Sequence, residues 1–245
     1  MTMIFTQKPL REIAAELPAA VPLFARFDID LCLAGDQSLA EVCARLNLSV
    51  EQLQEKLAAL NGFGVEAADP ETMSMTQIIQ RIVRVHHRRV RQDLPALAEM
   101  AALVQQKLSG NHPEAAPLAR LVAELHRDMF DHIGREEQVL FPFIVQMEED
   151  GALRYPAEHA CFRSVRTPIA RMMQDHGNAQ EIFDELRQRT NEFSPPPGAC
   201  ATQSALFAGL RNFHAGLSEH LRLEDNILFP QALTMETELQ AGRQL

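Results

Sequence analysis

One stretch of this chain occurs twice. Residues 125–142, LHRDMFDHIGREEQVLFP, align without a gap with residues 213–230, FHAGLSEHLRLEDNILFP. His126 matches His214, His132 matches His220, Glu136 matches Glu224, and Leu140-Phe141-Pro142 matches Leu228-Phe229-Pro230. Glu137 with Asp225 and Val139 with Ile227 are conservative pairs. Each copy carries a His and a Glu four residues apart, and on a helix that spacing puts two side chains about 40° apart around the axis and one turn along it. His132 and Glu136 therefore share a face, as do His220 and Glu224. An imidazole and a carboxylate aimed together into a protein interior are costly to bury unpaired, whereas a metal ion satisfies both. Two such pairs predict a pair of metals.

The flanking sequence places these pairs on long helices. Ile78, Ile79, Ile82, Val83, Val90, Leu94 and Leu97 recur at helical intervals and predict a helix over 75–108. Ser109-Gly110-Asn111-His112-Pro113 ends it, and a second helix runs to about 148, where Gly151 and Pro156 make a turn. A third is expected over 157–193, stopped by Ser194-Pro195-Pro196-Pro197-Gly198, and a fourth over 202–240. Helices of this length joined by short loops, with no β-rich runs, predict an all-α protein built on an antiparallel four-helix bundle. Pro95, Pro142, Pro168 and Pro230 fall inside these stretches, so local kinks or early terminations are expected. Ahead of the bundle, residues 1–60 read as short helices broken by Pro9, Pro18 and Pro22, with Ser38 and Glu41 spaced as a capping box and a further start at Ser49. Residues 61–74 gather Gly, Asn, Asp and Pro without periodicity, which sets a boundary between a small helical domain, 1–66, and the bundle, 67–245.

The remaining helices should supply further donors. His176 precedes His220 by 44 residues, and a nearly equal offset of 45 before His132 leads to the His86-His87 pair, between which periodicity does not choose. Each half thus contributes one His, then His plus Glu. Four imidazoles and two carboxylates form a mixed nitrogen and oxygen set suited to iron or manganese and too rich for one zinc. The net charge of −10 works against a nucleic-acid partner. The longest apolar runs, such as VLFPFIV at 139–145, are far short of the roughly 20 residues that cross a membrane. No export signal is visible at the N-terminus, and the widely spaced Cys32, Cys43, Cys161 and Cys200 read as reduced thiols. A cytoplasmic protein is expected, of open oligomeric state.

HIGREEQVLFP, HLRLEDNILFP, QDHGNAQE and VHHRRVRQDLP resemble, over nearly the whole chain, the hemerythrin-like proteins of the repair-of-iron-centres family. The resemblance implies a short N-terminal domain on a four-helix bundle that holds two non-haem iron ions with an oxo or hydroxo bridge. Carried over position by position, the implied ligands are His87, His132, Glu136, His176, His220 and Glu224, both glutamates bridging. His87 is chosen over His86 because the family's histidine stands seven residues before a Leu-Pro step, here Leu94-Pro95. It further implies production under nitrosative and oxidative stress, nitric oxide as a small ligand, and iron–sulfur proteins as clients. Reduction of nitric oxide would need two molecules at adjacent metals, so enzymatic activity is left open. The alternative is a hemerythrin-like protein that binds or senses dioxygen. One departure stands out: the family commonly has adjacent cysteines followed by glycines in its N-terminal domain, and this chain reads Asp30-Leu31-Cys32-Leu33-Ala34-Gly35, which puts any vicinal dithiol role in doubt.

Other conspicuous residues have plainer expectations. His126 and His214 lie six residues before the ligand histidines, a 240° rotation, so they are read as structural or outer-shell. Glu137 and Asp225 point about 100° from the neighbouring glutamates and are read as salt bridges or caps. Asp128 and Asp175 offer a proton relay or an orienting hydrogen bond to a ligand but are assigned to solvated faces, Phe141-Pro142 and Phe229-Pro230 to packing layers below the site, and His112 and His159 to loop and surface. Cys43, Cys161 and Cys200 are expected to be buried small residues.

Overall fold

A computed structural model describes residues 5–60, 69–108, 115–151 and 164–242. The expected His112, His159 and Cys161 positions, and the side chain of Cys32, lie outside the described residues, as do the breakers at 109–113 and most of the 61–74 boundary. The protein is all-α, with one isolated bridge between Pro9 and Ser38. Among the described residues no helix is long and apolar enough to cross a membrane. The chain forms two compact units interleaved in sequence. One comprises Met1–Gly64, Arg91–His126 and Ile182–Ala215, the other Val65–Val90, Arg127–Glu181 and Gly216–Leu245.

In the first unit, α1 (Leu10–Glu16), α2 (Ala20–Arg26), α3 (Leu31–Ala34), α4 (Leu39–Leu46) and α5 (Val50–Leu60) follow the proline punctuation. Pro9 caps α1, and Pro22 sits in the first turn of α2, where its missing N–H breaks nothing. The expected capping box closes α4: Ser38 N–H donates to Glu41 Oε2 at 2.7 Å and Glu41 N–H to Ser38 Oγ at 3.3 Å. Leu10, Ile13, Phe24, Leu39 and Leu57 are buried here, as are Leu97, Leu121, Leu186 and Leu210 from the longer helices. Gly209 is required at its position, since a Cβ would stand 2.8 Å from Leu97 Cδ2 and 3.1 Å from Pro18 Cγ.

The second unit is built from four rods. The first is α6 (Met75–Arg81), a π segment (Ile82–His87) and the start of α7 (Arg88–Leu108). The second is the end of α8 (Ala115–Arg135), a π segment (Glu136–Leu140) and α9 (Phe141–Asp150); the third is α10 (Arg166–Arg189) as far as Glu181. The fourth is the end of α11 (Ala201–Leu223), a π segment (Glu224–Leu228) and α12 (Phe229–Gly242). Ile78, Ile82, Leu140, Phe141, Ile144, Ile169, Leu228 and Phe229 form its apolar core. Two glutamates 88 residues apart tie the rods antiparallel in pairs. Glu148, near the end of α9, accepts from Met75 N–H and Thr76 N–H, each at 2.8 Å, at the start of α6. Glu236 in α12 accepts from Val165 N–H and Ser164 Oγ, each at 2.8 Å, at the start of α10. Each carboxylate meets backbone donors that a helix start leaves without intrahelical partners, and the macrodipole there favours its charge.

Three expectations are modified. Pro142 and Pro230 neither end nor visibly break their helices; each follows a π segment, whose defining bonds run from Phe141 N–H to Glu136 O and from Phe229 N–H to Glu224 O. A proline removes one i to i−4 bond, and the wider π turn is one way to absorb the loss. Helix α7 runs through Pro95, and Pro168 lies harmlessly in the first turn of α10. The third helix ends before the expected 193, stopping at Arg189 ahead of the proline run. Thr190 Oγ1 takes over the closing bonds, donating to Leu186 O at 2.7 Å and accepting from Phe193 N–H at 3.0 Å, while Asn191, Glu192 and Phe193 adopt positive φ.

Candidate metal centre

All six residues singled out by the repeat and the resemblance converge in the second unit. His132 and Glu136 stand at the junction of α8 with its π segment, Nε2 to Oε2 3.2 Å, and His220 and Glu224 at the twin junction after α11, Nε2 to Oε1 2.9 Å. His87, last residue of the first π segment, brings Nε2 to 3.3 Å from Glu136 Oε2; His176 in α10 brings Nε2 to 3.1 Å from Glu224 Oε2. The donor atoms fall into two tight groups, His87 with His220 and His132 with His176, and both groups include both glutamates. None of the six side chains is more than 5% exposed. His86 is also buried but contributes to neither group, whereas His87 belongs to one of them.

Carboxylates on neighbouring rods fix how the imidazoles present themselves. His87 Nδ1 lies 2.7 Å from Glu137 Oε1 and His176 Nδ1 2.9 Å from Asp225 Oδ1. A carboxylate accepts, so Nδ1 carries a proton and Nε2 is the ring atom turned inward. Phe141 stacks on His87 with ring centroids 5.6 Å apart, and Phe229 on His176 at 6.0 Å, which realises the expected packing layers. Asp175 Oδ2 is 3.6 Å from His132 Nδ1, an electrostatic contact longer than a hydrogen bond. The same oxygen takes a 2.6 Å bond from Arg135, and Oδ1 lies 3.3 Å from Arg171 Nε.

The interior of this cluster is chemically incomplete as protein alone. Both oxygens of Glu136, Oε2 of Glu224 and Nε2 of His87 are buried without a hydrogen bond. Burial disfavours charge on His132 and His176, yet Glu136 with Asp175 on one, and Asp225 with Glu224 on the other, raise them to about 10 and about 9. Burial likewise opposes charge on Glu224, but the neighbouring imidazoles, His220 first and then His176 and His132, hold its carboxyl well below the ordinary range. Protons thus occupy an acceptor-rich pocket whose lone pairs all converge, the arrangement that a bound cation neutralises and from which it displaces protons. Four imidazole nitrogens and two shared carboxylates fit an iron-type metal site.

Residues 78–232 match the family model described as hemerythrin HHE cation binding domain, and residues 6–61 match ScdA_N, a domain of unknown function. The chain is 35% identical over 234 residues to the iron–sulfur cluster repair protein YtfE of Citrobacter koseri, covering 96% of this chain and 100% of that one. The YtfE protein of Escherichia coli O157:H7 is 33% identical over the same shares. The chain belongs to the repair-of-iron-centres family. Within this family member, the residues that the sequence reading underrated are Glu137, Asp225, Asp175 and His86. Glu137 and Asp225 do form ion pairs, but with ring nitrogens of the site histidines, and their matched acidic character in the repeat was the available signal. Asp175 is only 10% exposed, not on a solvated face. His126 and His214 fall in the other unit, where His214 packs on Phe183 with centroids 4.6 Å apart. Cys43 is buried as expected, while Cys200 is only half-buried.

Proposed function

We propose that this chain is a non-haem di-iron protein whose ligands are His87, His132, Glu136, His176, His220 and Glu224, and that it binds nitric oxide and takes part in the repair of damaged iron–sulfur clusters. The observation that carries the ligand assignment is the pair of donor groups sharing both glutamates, each with two inward-facing imidazole nitrogens. The repair role is supported by the names of the YtfE relatives, matched over nearly the whole length of both chains. A cytoplasmic setting, where iron–sulfur clients are made and damaged, belongs to the same reading. So does a boundary near 66, which falls between the two matched families at 6–61 and 78–232.

Ferrous iron, when bound, supplies affinity for nitric oxide and one-electron redox chemistry. The chain's residues do the rest. Two imidazoles and two shared carboxylates would offer each ion four protein donors, which would leave room for a small ligand. Glu137 and Asp225 keep His87 and His176 in the tautomer that ligates through Nε2. Glu136 and Glu224, shared between the two groups, would offset part of the charge of two ferrous ions. Phe141 and Phe229 exclude water from the outer rings.

Anaerobic purification with iron analysis, followed by nitric oxide titration, tests this. About two irons per chain and tight nitric oxide binding are expected, and His132→Ala or Glu224→Ala should lower bound iron substantially and abolish nitric oxide binding. Full iron occupancy in both variants refutes the ligand assignment. Stable reversible oxygenation of the reduced protein, in place of nitric oxide binding, favours the dioxygen-carrier alternative.

A further inference from the structure

The two halves match at the six site residues and diverge immediately outside them. Stepping 88 residues from the second rod to the fourth, or 89 back from the third to the first, His132 maps to His220, Asp175 to His86, Arg135 to Leu223 and Asp128 to Gly216. Around His132 the outer residues are charged and line a cavity of about 150 Å3 that includes Asp128, Arg135, Arg171 and Asp175. Around His220 the twin space is filled. The His86 imidazole lies nearly flat on His220, centroids 5.4 Å apart and planes 21° apart, and its N–H donates to the Gly216 carbonyl. A Cβ at position 216 would meet Arg89 Nη1 at 2.9 Å, so the glycine is what admits that guanidinium. His220 Nδ1 is buried with no hydrogen-bond partner, so its ring is held by stacking where His87 and His176 are held by carboxylates.

We propose that His86 is a positioning residue that seats His220 and, with Arg89 against Gly216, closes the metal position formed by His87 and His220, so that the two metals exchange unequally. The ion held by His132 and His176 leaves first, beside the cavity; the other is retained. A carboxylate behind a ligand histidine ordinarily strengthens the bond to metal, which would favour retention at His132. Asp175 is already engaged by two arginines and stands beyond hydrogen-bond length from Nδ1, so that backing is weak and access to water decides the order. The inference rests on the ligand assignment proposed above.

The test is removal of iron from the full chain, loaded anaerobically with two ferrous ions, by excess of a water-soluble bipyridine-type chelator, read from the colour of the complex. Two phases of one ion per chain are expected, with rates at least about tenfold apart, in line with outer-shell effects on metal sites. His86→Ala should merge the phases, whereas His86→Phe, which keeps a flat ring on His220, should keep them apart. Should His86→Ala lose its helical circular dichroism, Arg89→Ala, which opens the same closure, should merge the phases in its place. A single phase in the unaltered protein, an unmoved slow phase in folded His86→Ala or its stand-in, or merged phases in His86→Phe overturns the inference. An unaltered chain that takes up no iron overturns the ligand assignment instead.

Discussion

Glu137 and Asp225 show what a single side chain does at this centre. Neither reaches the cluster interior, yet each accepts the Nδ1 proton of a histidine on another rod, at 2.7 and 2.9 Å. Without that acceptor the ring is free to rotate or to adopt the other tautomer, and part of its basicity is lost. Glu137→Ala should therefore lower metal affinity by about 10- to 100-fold with the fold intact, measured by competition against a chelator of known affinity. Glu137→Gln, which still offers an acceptor oxygen, should lose less. Equal affinity in the unaltered protein and in Glu137→Ala would remove the outer carboxylate from the account. At this scale the sequence was most legible for residues that repeat. The His-x-x-x-Glu pairs declare a shared face through helix geometry alone. Glu137 and Asp225 form the ion pairs expected of them, but their partners were not legible because they lie across a rod-to-rod contact, which single-helix geometry does not describe. Periodicity left His86 and His87 tied for a related reason: the π segment at 82–87 carries extra residues per turn, and both histidines come inside.

Among the elements, helix existence and direction followed from apolar spacing and proline punctuation, while the closures between helices did not. Nothing local in the sequence marks Glu148 and Glu236 as caps, since each serves a helix start more than 70 residues earlier. Their repeat spacing of 88 residues, equal to that of the ligand pairs, was a signal available only once the halves were known to be superposable. Glu236 is fully buried, and its removal leaves Val165 N–H and the Ser164 hydroxyl without their acceptor. Charge-assisted bonds of this kind contribute about 1.5–3 kcal/mol, so Glu236→Ala should destabilise by about that amount. For a chain of this size about 2 kcal/mol lowers Tm by roughly 4–8 °C in thermal unfolding. A variant that melts with the unaltered protein would show that the buried carboxylate adds nothing net. The π segments follow the same logic at shorter range: proline two residues after Leu140 or Leu228 was legible as a disturbance, but whether the helix ends, bends or widens depends on what the adjoining glutamate must reach.

For the molecule as a whole, the consequence lies in how the first unit is put together. A cut at 66 reads naturally from composition, yet the unit containing residues 1–60 also contains Arg91–His126 and Ile182–Ala215. Specific bonds join them: Asn212 Nδ2 donates to Ala15 O at 2.7 Å and Gln92 Nε2 to Leu60 O at 2.6 Å, with Pro18 packed against Gly209. The N-terminal helices are therefore part of that unit's core, and deleting them strips apolar cover from bundle helices within it. Each large side chain so uncovered forfeits about 1.5–3 kcal/mol of burial, and a few such losses are comparable with the whole stability of a domain. All six site residues, by contrast, lie in the other unit, whose core and helix-start caps draw on none of residues 1–60. A chain beginning at 67 should accordingly retain the capacity to bind iron at low temperature while melting well below the full-length protein and aggregating as it does so. Iron content by metal analysis, alongside thermal unfolding, separates the two effects. Full-length stability in the truncated chain would show that the N-terminal helices are a passive appendage, and loss of iron from a truncated chain that is still helical would show that the centre depends on them.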